Sequence, residues 1–239
     1  MNEKEFLTIK QAALRRFFAR MNPQQLDAVL TVNGPVLVLA GAGSGKTTVI
    51  VNRIANMVLF GDTAHTLTPV PTEEELAALQ AYIDGGEMDT GELRDLIAAS
   101  PVIPWQILAI TFTNKAAGEL KSRLAGTLGD AAQDIHAATF HSACVRILRA
   151  CIDRLGYESS FTIYDSDDSL RLMKAVMKEL DVPEKKFAPK SVLGTISHAK
   201  DRLMSPEEFA DEAGNDYWNK VVAKLSALLH TSFKFFVFE

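Results

Sequence analysis

Residues 35–48 read Pro-Val-Leu-Val-Leu-Ala-Gly-Ala-Gly-Ser-Gly-Lys-Thr-Thr, an apolar run that drops into a glycine loop and then opens a helix. The run Val36–Leu39 is short, uninterrupted and rich in branched side chains, which predicts a strand buried on both faces of a parallel sheet. Gly41, Gly43 and Gly45 let the chain turn tightly with no Cβ in the way, so that successive N–H groups can face one anion. Lys46 and Thr47 then open a helix whose unpaired N–H groups and positive dipole end point at the same spot. The Lys46 ammonium suits the β- and γ-phosphates of a nucleotide, and the Thr47 hydroxyl suits a Mg2+ shell. Ala40 stands where the general phosphate-loop pattern has glycine, while the second glycine, the lysine and the threonine are kept. The stretch Ala40, Gly41, Ala42, Gly43, Ser44, Gly45, Lys46, Thr47 and Thr48 is therefore read as a nucleotide-phosphate cradle. The bland alternative is an ordinary glycine-rich turn, and the strand-to-helix context argues against it.

Upstream, residues 5–20 have a loose amphipathic helical pattern. A second helix begins at Asn22-Pro23-Gln24-Gln25, with Asn22 as N-cap and Pro23 at the first helical position. Gln25 sits just before the glycine loop, and a carboxamide that donates and accepts at once can read an adenine edge; a surface helix glutamine is the commoner case. Downstream, after a helix from Lys46 to about Leu59, residues 61–101 break the rhythm. Thr72-x-x-Glu75 is a capping box, Gly85-Gly86 ends that helix, and Thr90 caps another that ends near Ser100. This insert carries Glu73, Glu74, Glu75, Asp84, Glu87, Asp89, Glu92 and Asp95 against the single Arg94, so it is not expected to touch nucleic acid.

Ile107–Thr111 and Ile135–Thr139 are further apolar runs, each leading directly into a helix, at Phe112–Leu124 and Phe140–Arg149. Three successive strand-to-helix units imply a parallel sheet with right-handed crossovers, and sites gather at the carboxyl ends of such strands. That rim holds Phe112, Asn114 and Lys115 in one unit and Thr139, Phe140, His141 and Ser142 in the other. Aromatics interleaved with small polar groups at helix starts suit single-stranded nucleic acid, although taken singly each phenylalanine reads as core and each polar residue as a cap. From about residue 157 the pattern turns helical with no evident strand. Asp165 or Ser166 caps a helix through Leu180, another runs from about Ala188 to Met204, Ser205 opens a third and Asn215 caps a fourth.

The net charge of −5 excludes a generally basic surface and confines any nucleic-acid site to a local groove. No apolar stretch is long enough to span a membrane and the N-terminus is not a signal peptide, so the chain is expected to be cytoplasmic. Cys144 and Cys151 fall seven apart on one helix, ~10 Å along its axis, which predicts buried free thiols. The end, Ser232-Phe-Lys-Phe-Phe-Val-Phe-Glu239, is β-prone and an expected site of self-association.

Together, Asn22-Pro-x-Gln25, Ala40–Thr47, Ile107-Leu-Ala-Ile-Thr-Phe-Thr-Asn-Lys-Ala-Ala117 and Ala138-Thr-Phe-His-Ser-x-Cys-Val-Arg-Ile-Leu-Arg149 closely resemble the UvrD/PcrA/Rep family of superfamily-one DNA helicases. The resemblance continues through Phe161–Asp165 and Leu193–Lys200 to about Val222, leaving out the insert. It implies an α/β fold with a RecA-like parallel sheet and a helical subdomain, divided at about residues 1–156 and 157–239. It also implies use of ATP with Mg2+ to translocate 3′ to 5′ along single-stranded DNA, acting at DNA junctions in repair or replication. By the same resemblance Gln25 is the adenine reader, Lys46 the phosphate lysine, Thr47 a Mg2+ ligand, and Phe112, Asn114, Lys115, Thr139, Phe140, His141 and Ser142 contact DNA. Thr48 departs from relatives that carry Arg there. The acidic pair that ends an apolar strand is also not evident: Asp211-Glu212 follows a helix start, and Asp165 reads as a cap. The expectation is the front portion of a helicase that does not turn over ATP by itself, with a non-hydrolysing nucleotide- or strand-binding module as the alternative.

Overall fold

The computed structural model describes residues 1–156, 158–232 and 236–237. The protein is mixed α/β, mostly helical with little, parallel sheet, and divides into two compact units, Met1–Ala143 and Cys144–Glu239.

The first unit runs α1 (Glu3–Phe17), α2 (Pro23–Leu30), α3 (Lys46–Leu59), α4 (Glu73–Ile83), α5 (Thr90–Ile97), β1 (Leu108–Thr111), α6 (Asn114–Leu128) and β2 (His136–Thr139). Local chemistry sets many of these starts. Asn2, Asn22 and Thr72 each accept the backbone N–H three residues on, and Glu5, Gln25 and Glu75 reach back to the cap N–H, forming three reciprocal capping boxes. The cap of α5 is Asp89 rather than Thr90, its carboxylate taking the Gly91 N–H at 2.7 Å.

α1 buries Phe6, Lys10, Ala13 and Leu14, a stripe at helical spacing, in one core with Leu79 and Tyr82 of α4, Leu93 and Ile97 of α5, and Val29, Val49 and Phe60 from α2, α3 and the end of α3. Polar groups tie the same parts together. The buried Lys10 Nζ donates to the Thr66 carbonyl at 2.7 Å and the Thr68 hydroxyl at 2.8 Å, and Arg16 lies 4.4 Å over the Tyr82 ring while donating to the Gly86 carbonyl. The insert closes at its base, where Gly61 bridges Ala99. At φ +65° a Cβ on Gly61 would sit 2.2 Å from the Ala99 oxygen, so only glycine fits.

β1 and β2 pair in parallel, from Leu108↔His136 to Thr111↔Thr139. One face packs on Val51 and Ile54 of α3 and Leu120 and Leu124 of α6, while Leu108 and Ile110 on the other face are exposed. The third expected strand does not form. Val36–Leu39 has no strand assignment, and Leu37 and Leu39 are 83% and 86% exposed rather than buried. A strand is a paired state, and among the described residues the only ladder in this unit joins β1 to β2.

α7 (Phe140–Cys151) begins in the first unit and ends in the second, where β3 (Ile163–Tyr164), α8 (Ser166–Glu179), α9 (Pro189–Asp201), α10 (Pro206–Glu212), α11 (Tyr217–Ser232) and β4 (Phe236–Val237) follow. Met173, Met177, Val192, Ile196, Phe209, Val222 and Leu225 form its core, with Trp218 stacked on Phe187 at 4.9 Å. Asp165 caps α8 by accepting two N–H groups, and Asp216, not Asn215, accepts the Asn219 N–H in the first turn of α11. The region expected to lack strands holds a two-residue parallel ladder, Ile163↔Phe236 and Tyr164↔Val237. Its partners are about seventy residues apart, and no local pattern reports such a pair. The other residues of the phenylalanine-rich end, 233–235 and 238–239, lie outside the described residues, so its expected self-association is not addressed. Cys144 and Cys151 are free as expected but only half-buried, the Cys151 thiol donating to the Ile147 carbonyl at 3.1 Å. No helix among the described residues is long and apolar enough to cross a membrane.

Candidate functional site

The glycine loop delivers the chain into α3 at Gly45, whose φ of 82° is left-handed, as is that of Gly43 at 75°. Both positions need glycine for that reason. No side chain caps α3, so its first N–H groups and its positive end face the loop without a carboxylate or hydroxyl on them. Such an end fits an anion. The loop is also drawn in on itself. Lys46 Nζ donates to the carbonyls of Gly41 at 2.6 Å and Ala40 at 3.2 Å, and the Ser44 hydroxyl donates to Gly41 at 2.8 Å. From α2, Gln25 Nε2 donates to the Ser44 carbonyl at 3.0 Å. Gln25 and Lys46 thus reach the same six-residue turn. Thr47 and Thr48 lie half-buried in the first turn of α3, and Ala42 is exposed at the tip.

Arg53, which sequence reasoning missed, fixes where this helix stands. Its guanidinium donates to the carbonyls of Ala28, Thr31 and Val32, joining the second turn of α3 to the end of α2 and the chain leading to the loop. The only sequence signal is a basic residue on a half-apolar helix, which does not name its partners.

The second cluster follows from the register of the short sheet. Thr111 and Thr139 are the last pair, so Phe112 and Phe140 are the next residues of each strand beyond the same end of the sheet. Phe112 is 94% and Phe140 55% exposed, as rings that stack on bases must be. Asn114, Lys115, His141 and Ser142 are exposed on the first turns of α6 and α7. Thr139 is different: it is buried, and its hydroxyl is 2.9 Å from that of Ser142 and takes the Ser142 N–H, so it works as a helix cap. Thr113 caps α6 in the same way.

Neither candidate for an acidic strand end is built as one. Glu212 forms a bidentate pair with Arg202 at 2.9 Å on a helix, and Asp165 is occupied as the α8 cap. Among the described residues no group of three metal-ligating side chains occurs.

The family model for the UvrD/REP helicase N-terminal domain matches residues 21–68 and 90–234. The chain is 44% identical over 207 residues to the ATP-dependent DNA helicase PcrA of Bacillus subtilis, covering 87% of this chain and 23% of that protein. It is 39% identical over 203 residues to the proteins of the same name from Staphylococcus epidermidis and Staphylococcus aureus, covering 85% of this chain and 22% of theirs. The chain therefore spans less than a quarter of the length of these relatives. Residues 69–89, which contain all of α4, fall between the two matched stretches, and α1 precedes them.

Proposed function

Because the chain belongs to the UvrD/REP helicase N-terminal domain family, we propose that it is the ATP-binding and DNA-contacting front portion of a RecA-like motor that translocates 3′ to 5′ on single-stranded DNA. The observation that carries this reading is the uncapped N-terminus of α3 under a glycine loop, with Lys46 and Gln25 reaching into the same turn. In this reading the α3 N–H groups and the Lys46 ammonium hold the phosphates, where charge-assisted hydrogen bonds are strongest. Thr47 would be one Mg2+ ligand, with the remaining positions filled by water, phosphate oxygens or other residues. Mg·ATP supplies the phosphoryl-transfer chemistry when bound. Phe112 and Phe140 would stack bases, and Asn114, Lys115, His141 and Ser142 would contact the strand beside them, acting on single strands and junctions in repair or replication in the cytoplasm.

Hydrolysis also needs a carboxylate holding Mg2+ and water, and positive charge on the transferring group. Asp165 and Glu212 are engaged elsewhere, so the 239-residue chain is expected to bind ATP without helicase-like turnover. Calorimetric titration with Mg·ATP tests the site. Lys46→Ala should weaken binding about ten- to a hundredfold, the worth of a charge-assisted contact; equal binding by wild type and variant refutes the assignment.

A further inference from the structure

The free glycine loop is not slack. Its carbonyls at 40, 41 and 44 are taken by Lys46, Ser44 and Gln25, donors held within the protein itself. Gln25 is the only one of the three from outside the loop and its helix, and its side chain is fixed at both ends. Oε1 accepts the Asn22 N–H at 3.0 Å in the α2 capping box while Nε2 donates to the Ser44 carbonyl. The fit is close: a Cβ on Gly45 would come within 3.0 Å of that Nε2. Resting on the proposed nucleotide site, we infer that Gln25 is a latch on the loop, and that contact of its carboxamide with a nucleobase releases the loop to receive phosphate.

The coupling has a definite sign. A base edge read by donor and acceptor together needs Oε1 and Nε2 turned onto it as a unit, which carries Oε1 off the Asn22 N–H and Nε2 off the Ser44 carbonyl, so base recognition and loop opening are one event. A ligand with phosphates but no base must open the loop against the latch. A purine nucleotide is compensated by the contacts its base makes. The latch thus discriminates against free polyphosphates in favour of nucleotides, as a differential interaction with the closed and open loop. Gln25 acts here as a positioning residue for the phosphate-binding backbone, beyond any contact it makes with the base.

Gln25→Met keeps the length of the side chain and removes the donor. Two measurements on the full chain test the latch. In the ligand-free protein, amide hydrogen exchange across residues 42–46 should accelerate about two- to tenfold, the worth of one hydrogen bond. In calorimetry, inorganic tripolyphosphate should bind the variant about two- to tenfold tighter than wild type, while Mg·ATP binds no tighter. Asn22→Ala, which removes the cap acceptor and leaves Nε2 in place, should change neither. Unchanged exchange, unchanged or weaker tripolyphosphate binding in Gln25→Met, or the same changes in Asn22→Ala, which would trace them to fraying of α2, each overturn the latch. Failure of wild type to bind ATP refutes the nucleotide site instead, and the exchange experiment still reads the latch.

Discussion

Two parts of the first unit use their apolar residues in opposite ways. α1 and the insert it packs against bury Phe6, Leu14, Leu79, Leu93 and Ile97 almost completely, although α1 and α4 lie outside the stretches matched by the family. The glycine loop and its approach, inside the matched stretches, leave Val36, Leu37, Val38 and Leu39 40–86% exposed, and the rim adds Phe112 and Phe140. The difference separates where apolar burial stabilises the unit from where the candidate site lies. Burying a leucine side chain contributes about 1.5–3 kcal/mol, and α1 and the insert share their core with Val29 of α2 and Val49 of α3, the helices whose first turns carry Gln25 and Lys46. An exposed aliphatic contributes almost nothing to the fold and is free to serve a partner surface or a ligand.

The sharpest way to break this comparison is to truncate a leucine on each side. Leu79→Ala, at a position with no exposure, should cost about 2–5 kcal/mol of unfolding free energy through lost transfer and a cavity. Leu37→Ala and Leu39→Ala should each fall within about 0.5 kcal/mol of wild type. Urea unfolding of the three variants checks it. A cost above about 2 kcal/mol for Leu37→Ala would mean that residues 36–39 are packed in solution, and the division between the two parts would collapse.

The next test moves to the rim. Phe112→Ala should leave stability unchanged, because the ring is almost wholly exposed, yet weaken binding of an oligothymidine strand by about 1–3 kcal/mol, the worth of one stacked base. Phe140→Ala, less exposed, should lose DNA affinity and some stability as well. Binding by fluorescence anisotropy at two salt concentrations separates ring from charge: Lys115→Ala should flatten the salt dependence, and Phe112→Ala should not. A Phe112→Ala chain that binds DNA as wild type does would leave the rim without its proposed use.

What was legible beforehand follows the same division by range. Capping boxes at Asn22, Thr72 and Ser205 close over three residues, and a sequence displays all the atoms involved. β1 and β2 were legible too, because each is an apolar run that leads at once into a helix with its own start signal. Val36–Leu39 is written like β1 and is not a strand, since pairing depends on a neighbour that composition does not reveal. The same holds for the Ile163–Phe236 ladder and for the packing of α1 on the insert, joined by contacts such as Lys10 to Thr66, 56 residues apart. At the candidate site, the exposure of Phe112 could be anticipated from the rim. The cap role of Thr139, the hold of Arg53 and the Gln25–Ser44 bond could not, because each is a choice between equally plausible partners settled only in three dimensions.

The smallest expected effect comes from a charge inside the packed part. Lys10 is fully buried, and its ammonium has a carbonyl and a hydroxyl as partners, with Phe6 5.3 Å away and no ion pair among the described residues. Burial lowers its pKa from the ordinary 10.5, because removal from water disfavours the charged form. The unfolded chain therefore holds a proton at Lys10 over a range where the folded chain has released it. Stability rises with pH from the folded pKa up to about 10.5, and below that window the full cost of the buried charge is present and constant. One proton limits the slope to about 1.4 kcal/mol per pH unit. Lys10→Met removes the charge and keeps the bulk, so the stability of the variant minus that of wild type should fall as pH rises from the folded pKa to about 10.5. Unfolding curves between pH 7 and about 10.5 read this directly. A difference that stays constant throughout would show that water reaches the ammonium, and that the core around α1 is looser than the structure draws it.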